Sequence, residues 1–178
     1  WNNTVTAYTG QFTTYGINPT YELFEDAGSP DTIPDMREAI TGSINNQGGL
    51  TNDGEVAILF YWDGASDLVQ DLDYVVWGDK AEAVDKTSIS VDGPDADTTA
   101  STYLNDTAIG TQIPVATAAH AFGTSWQRSD MTEGTETKTG GNGLTGHDET
   151  SENLNATWVE DTPTPGSEYV APSGSWII

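Results

Sequence analysis

Three carboxylates fall within six residues of an acidic loop, at Asp92, Asp95 and Asp97. Calcium takes roughly six to eight oxygen ligands, and acidic turns supply them. The segment lacks the Asp-x-Asp-x-Asp-Gly order and the closing Glu of an EF-hand loop. Two interpretations therefore stay open, a bound Ca²⁺ ion or a loop whose carboxylates are simply solvated.

Candidates for nucleophilic or zinc chemistry are few. His120 and His147 are the only histidines, and the chain has no cysteine. Ser125 follows His120 closely, but it lacks the flanking glycines of a nucleophile elbow. His120 lies in the apolar run Ala-Ala-His-Ala-Phe, which is typical of a packed structural histidine, and zinc would need carboxylates from distant segments. We expect no catalytic residues and no enzyme activity.

The segment Gly141-Asn142-Gly143-Leu144-Thr145-Gly146 formally satisfies the dinucleotide-binding fingerprint. That fingerprint needs a preceding strand and a helix that opens at the last glycine to hold pyrophosphate. Neither is predicted here, and the acidic residues that follow would repel phosphate. We interpret the segment as a turn with no bound nucleotide or other cofactor.

The charge of the chain excludes several classes of partner. The formal net charge is -23, from 28 acidic and five basic residues. Nucleic acid and anionic membranes are therefore not expected as partners. No window has the apolar length of a membrane span, so membrane insertion is not expected. Because the chain begins at Trp1 and is rich in Thr, Gly, Asn and Asp, we expect a secreted or cell-surface protein that has lost a signal peptide. The Asn-x-Thr patterns at Asn2, Asn105 and Asn155 would matter only in a glycosylating environment.

The elements that must position these residues are mostly strands. Residues 56–62 and 72–77 are β-type apolar runs around a polar turn and predict a β-hairpin. Residues 132–153 are almost devoid of apolar side chains and predict a long polar loop. Residues 109–122 predict a strand followed by a short helical turn, and residues 35–46 predict a short helix. Further strands are expected within residues 1–24, 87–91, 124–127, 156–159, 169–171 and 176–178, and the whole chain, residues 1–178, is expected to form one all-β domain.

Several motifs of the central region follow one another in a particular order. They are Trp62-Asp63-Gly64 at the turn, Asp73 to Gly78 in the second strand, Ser125-Trp126-Gln127-Arg128, Trp158, and Pro163-Thr164-Pro165-Gly166. Over about residues 50–166 the chain resembles the lamin tail domain of exported prokaryotic proteins. The resemblance implies an immunoglobulin-like β-sandwich that serves as an accessory or surface interaction module. Arg128 and Gly78 occupy positions that match an Arg and a strand-ending Gly of that family.

The two ends of the chain carry more aromatic and β-branched residues than disordered tails do. They either complete their own sandwich or add to the sheet edge of another copy. We therefore predict a non-catalytic surface module, structural or adhesive, that forms filaments or a surface layer, with other surface proteins or glycans as further partners. The alternative is a ligand-binding accessory domain of a larger secreted hydrolase or nuclease. The expected subunit contacts are Trp1, Val5, Tyr8, Trp176 and Ile178.

Overall fold

The computed structural model describes residues 50–132, 136–165 and 167–171. The chain divides into two compact units, one that joins Thr51–Pro163 with Val170–Ile178 and one that joins Trp1–Leu50 with Thr164–Tyr169. Every described strand and helix belongs to the first unit. The predicted strands within residues 1–24, the helix at 35–46 and the last terminal strand lie outside the described residues, and the expectation of one domain stays a prediction.

A β-hairpin forms the centre of the described structure, as the sequence predicted. Strand β1 is Gly54–Tyr61 and strand β2 is Gln70–Gly78. They pair antiparallel from Gly54↔Gly78 to Tyr61↔Gln70, with a register shift between Leu59 and Phe60. Leu59 pairs with Asp73 and Phe60 with Asp71, so the second strand contains one extra residue, a β-bulge.

The bulge decides which side chains of β2 face the core. In a regular strand every second residue shares a face, so Asp71 would lie opposite to Tyr74 and Val76. A shift of one residue transfers a side chain to the other face. Asp71, Tyr74 and Val76 are all buried. The bulge thus brings a carboxylate to the face that holds the apolar core.

Two further antiparallel pairs complete the sheets of the described residues. Strands β3 (Ser90–Val91) and β4 (Ser101–Thr102) form a short ladder, and strands β5 (Ser125–Arg128) and β6 (Trp158–Asp161) form a longer one. Within the described ranges, helical structure is limited to α1 (Leu154–Thr157) and two 3₁₀ turns, Ile109–Thr111 and Glu149–Ser151. The all-β class is therefore confirmed. None of the helices in the described part of the chain has the length and apolarity needed to cross a bilayer.

Local turns shorten two of the predicted strands, and residues 109–122 and 169–171 form no strand. In residues 87–91 only Ser90–Val91 is strand, because the Ile89 N–H donates to the Lys86 carbonyl and Ser88 has a φ of 65°. Residues 109–122 form a 3₁₀ turn and an irregular segment, not a strand with a helix. Residues 156–159 begin as the end of α1, and the strand starts at Trp158.

The apolar core of the described residues is small. Its buried members come from β2, two connecting segments and α1. Part of the first apolar run is not in the core, because Leu59, Phe60, Tyr61 and Trp62 are exposed. The apolar character of both runs predicts that they form the sheet core, and this prediction is wrong for residues 59–62. The buried apolar residues are Tyr74, Val76, Ala83, Val115 and Leu154, and the side chains packed against them are Val56, Ile58, Val75, Trp77, Val84, Trp126 and Trp158.

Candidate functional site

The acidic loop meets a second acidic segment that follows β1. One carboxylate oxygen from each of Asp67, Asp92 and Asp95 lies within 4.8 Å of the other two. The Gly93 N–H donates to Asp67 Oδ1 over 2.8 Å and fixes the two segments together. Hydrogen bonds from Ser101 and then Gly93 lower the pKa of Asp67, so its carboxyl stays ionised at neutral pH. Three monodentate carboxylates would supply about half of the oxygens that Ca²⁺ takes.

The structure changes the membership of the predicted metal set. It brings together Asp92 and Asp95 and adds Asp67, which the sequence did not point to because it lies far along the chain. Asp97 instead turns to its own backbone, where its Oδ1 accepts the Thr99 N–H over 2.7 Å. The Asp97 N–H in turn donates to Asp95 Oδ1 over 3.0 Å. Whether calcium binds here stays a prediction.

A buried ion cluster lies beneath β2, and no local sequence pattern indicates it. The Lys86 Nζ atom is 2.7 Å from Asp71 Oδ2 and 2.9 Å from Asp106 Oδ2. The side chains of Lys86, Asp71 and Asp106 are only 14%, 4% and 1% exposed. One amine is thus held between two carboxylates away from water.

Asp106 is the more firmly held of the two carboxylates. Its Oδ2 atom accepts the backbone N–H of Lys86 over 2.8 Å, and its Oδ1 atom accepts Nδ2 of Asn142 over 2.8 Å. The Asn142 side chain is itself fixed, because it donates to and accepts from the backbone of Leu104. These bonds fix the position of the Asp106 carboxylate beside Lys86. For Asp71, burial is the largest influence and raises the pKa, although the Lys86 ammonium acts in the opposite direction.

The predicted polar loop, residues 132–153, is partly buried, which its lack of apolar side chains does not predict. Asp148, Glu149, Thr150, Ser151 and Glu152 are all buried. Asp148 accepts hydrogen bonds from the hydroxyl groups of Thr107 and Thr150, and it pairs with Lys138 Nζ at 3.1 Å. The Lys138 side chain is 41% exposed, so this pair reaches solvent while the Lys86 cluster does not. Polar partners replace apolar contacts in this region.

Arg128 connects β5 to the hairpin and to the buried loop. Its guanidinium pairs with Asp73 of β2 and with Glu152, and it lies 5.4 Å from the centre of the Trp158 ring. A planar guanidinium is suited to contact two carboxylates and an aromatic face together. Arg128 therefore connects the β5–β6 pair to the hairpin and to the buried loop.

The two histidines lie in separate environments. His120 is half-buried, its Nδ1 is 2.9 Å from the Ala121 carbonyl oxygen, and its ring meets Trp126 edge to face with centroids 6.1 Å apart. His147 Nδ1 is 2.9 Å from Thr145 Oγ1. The Gly141–Gly146 segment ends in a tight turn in which the Gly146 N–H donates to the Gly143 carbonyl. These contacts agree with structural roles for both histidines and with a turn at the glycine-rich segment.

Four consecutive apolar side chains, at residues 59–62, are exposed where β1 ends. Among the described strands, β1 pairs only with β2, so its second edge has no strand partner there. The exposed fractions of Leu59, Phe60, Tyr61 and Trp62 are 61%, 54%, 50% and 46%. The predicted subunit contacts Trp1, Val5, Tyr8, Trp176 and Ile178 lie outside the described residues.

No protein-family model, curated protein or solved structure matches this chain.

Proposed function

We propose that this protein is a non-catalytic module of the cell surface or the extracellular space that assembles with copies of itself by strand addition. The immunoglobulin-like sandwich implied by the lamin tail resemblance is part of the same proposal. The observation that carries the proposal is the edge of β1, where apolar side chains are exposed beside backbone groups without a strand partner among the described residues.

Edge strands of soluble proteins are usually protected by charges, prolines or a covering segment. The end of β1 has the sequence Ile-Leu-Phe-Tyr-Trp, without a charge or a proline. Such an edge favours pairing with another strand, where backbone hydrogen bonds give affinity and alternate side chains give register. This surface therefore supports a function in association.

The occupant that we propose is the N-terminal segment, residues 1–15, of a second copy. This segment places Val5, Tyr8 and Phe12 among several threonines, a composition that favours extended strands. Donation from copy to copy is head to tail, and such contacts give a filament when they do not close into a ring. Trp1, Val5, Tyr8, Trp176 and Ile178 would then lie at the junctions.

Assembly is tested by static light scattering and electron microscopy of the purified chain over a range of NaCl concentrations. We expect filaments at high salt, because each copy carries a formal charge of -23 that must be screened. A Leu59→Lys variant should fail to assemble although the added lysine reduces the repulsion. Phe122→Lys is the matched control, since Phe122 is fully exposed away from any strand and the charge change is identical.

Removal of residues 1–10 distinguishes donation from intramolecular completion. If the segment serves a neighbour, the truncated chain keeps its circular dichroism spectrum but no longer polymerises, and a synthetic peptide of residues 1–15 binds to its free edge. Unfolding of the truncated chain would favour completion of its own sandwich. A chain that stays monomeric at every salt concentration would contradict the proposal.

The alternative of a ligand-binding accessory domain has one observation in its favour. Trp62 is exposed at the hairpin end, and its indole N–H donates to the Ser66 carbonyl oxygen over 2.8 Å, which holds the ring in place. A fixed aromatic surface is suited to carbohydrate or peptide binding. Glycan-array binding that is lost in Trp62→Ala, by a chain that does not polymerise, would favour this alternative.

A further inference from the structure

The buried cluster of Lys86, Asp71 and Asp106 contains the groups that amide formation needs. The Lys86 Nζ atom is in contact with an oxygen of each carboxylate, at 2.7 Å and 2.9 Å. A reacting pair held near van der Waals contact gains a large rate advantage over the same groups free in solution. The cluster is nearly closed to water, so a product formed there would be protected from hydrolysis.

We propose that Lys86 and Asp71 form an intramolecular amide bond, with Asp106 as the group that transfers protons. The bond would join β2 covalently to the segment that follows the turn closed by the Ala83 N–H and the Lys80 carbonyl oxygen. It would form without any cofactor.

The reaction balances within the three side chains. A bond forms between Lys86 Nζ and Asp71 Cγ, and one Cγ–Oδ bond of Asp71 breaks. Of the three protons on the ammonium, one stays on the amide nitrogen and two leave with the carboxyl oxygen as water. No oxidant or further reactant takes part, and one positive and one negative charge disappear together.

The hydrogen bonds assign different roles to the two aspartates. Asp106 is held by the Lys86 backbone N–H and by Asn142, with its Oδ2 atom 2.9 Å from Lys86 Nζ, so it is placed to take a proton from Nζ. Asp71 accepts a side-chain hydrogen bond from Lys86 alone among the interactions of the described residues, and burial raises its pKa. Asp71 is therefore the carboxyl that takes up a proton and is then attacked by Lys86 Nζ.

Lys86 must react in its neutral form. Burial disfavours its charge, but the hydrogen bonds to the two aspartates outweigh this effect and raise its pKa. Transfer of one proton from Nζ to Asp71 produces a neutral amine beside a neutral acid within the same contact. The amide removes the buried charges of Lys86 and Asp71, and Asp106 keeps its hydrogen bonds from the Lys86 backbone N–H and from Asn142.

Mass spectrometry of the full-length chain tests the proposal. After denaturation in acid, the intact mass should be lower than the sequence mass by one water molecule. Trypsin cleaves after Lys80, Arg37 and Arg128 but not after a modified Lys86. The digest should therefore contain a branched product that joins residues 38–80 to residues 81–128.

Three variants decide between this bond and other causes of a water loss. Lys86→Arg should restore the full sequence mass, whereas Lys138→Arg, at the exposed pair with Asp148, should keep the deficit. Asp106→Asn should greatly reduce the extent of the bond. A deficit that survives Lys86→Arg would indicate an Asp-Gly succinimide and overturn the proposal, as would a wild-type chain with the full mass. A loop closed within residues 81–128 would overturn the choice of Asp71, since Asp106 would then be the electrophile.

Discussion

At the scale of single residues, Asp63 shows how a short polar sequence fixes a turn. Its Oδ1 atom accepts the N–H groups of Ala65 and Ser66, and its Oδ2 atom accepts the Ser66 hydroxyl. These bonds, with the Ser66 hydroxyl first, lower the Asp63 pKa from 3.8 to about 2. The turn after β1 is therefore stabilised by an ionised carboxylate.

The change Ser66→Ala should raise the Asp63 pKa toward 3.8, because it removes the strongest of these hydrogen bonds. A carboxyl with a lowered pKa stabilises the fold above the unfolded pKa and loses this contribution as the pH falls through about 2. Carboxyl ¹³C NMR titration measures the shift. Ser101→Ala is the control, since Ser101 bonds to Asp67. An unchanged Asp63 pKa in Ser66→Ala would contradict this account.

The buried hydroxyl of Tyr74 makes a second residue-scale case. It donates to Gln112 Oε1 over 2.8 Å and accepts the Val84 N–H over 3.1 Å. Tyr74→Phe leaves Gln112 Oε1 and the Val84 N–H without their hydrogen bonds to the hydroxyl. The free energy of unfolding should therefore fall by about 1–3 kcal/mol. Tyr61→Phe, at an exposed side chain, should change it by less than about 0.5 kcal/mol. Urea denaturation measures both, and equal effects would refute the assignment.

At the scale of elements, the hairpin depends on backbone geometry where β2 ends. Gly78 has a φ of 73°, and its N–H donates to the Ala116 carbonyl over 2.8 Å. A Cβ atom at this position would overlap the Asp53 carbonyl group. The strand can therefore end in this way only at glycine.

Gly78→Ala should destabilise the protein by roughly 3 kcal/mol or more, because backbone strain and overlap with fixed backbone atoms add together. Gly64→Ala provides a matched control. Gly64 has a φ of 85° but nothing within 4 Å of its added Cβ, so strain alone acts there. We expect a loss of about 1 kcal/mol for Gly64→Ala. Thermal denaturation compares the two, and a larger loss in Gly64→Ala would refute the steric argument.

At the scale of the whole molecule, the net charge of -23 opposes both folding and association. Like charges on a compact chain repel, and dissolved salt screens them over about 10 Å at 0.1 M and about 3 Å at 1 M. We expect the melting temperature to rise with NaCl, and equally with choline chloride at the same ionic strength. A melting temperature that does not change between low salt and 1 M would show that repulsion is unimportant here.

A Ca²⁺ ion bound at the acidic loop should stabilise the fold beyond the general effect of salt. At constant ionic strength, Ca²⁺ should raise the melting temperature of the parent chain but not that of Asp67→Asn, because Asp67 belongs to the cluster with Asp92 and Asp95. Asp97→Asn should keep the effect, since Asp97 bonds to its own loop. An equal response of all three proteins would refute a site at this cluster.

The sequence by itself determined the hairpin, strand β5, the all-β class and the acidic character of the surface. These depend on local patterns, since residues 56–62 and 72–77 carry β-forming side chains around a turn. It also placed Asp92 and Asp95 in one loop, because neighbours in sequence remain neighbours in space.

Only the tertiary structure decided which polar groups meet. The bulge in β2 turned Asp71 inward, and chain folding brought it to Lys86 and Asp106. No periodicity predicts such a cluster, because its three members are distant in sequence and the bulge breaks the alternation of β2. The same reason explains why Asp67 replaced Asp97 and why Asp148 and Glu149 became buried: contacts between distant segments are set by packing, which local sequence patterns do not encode.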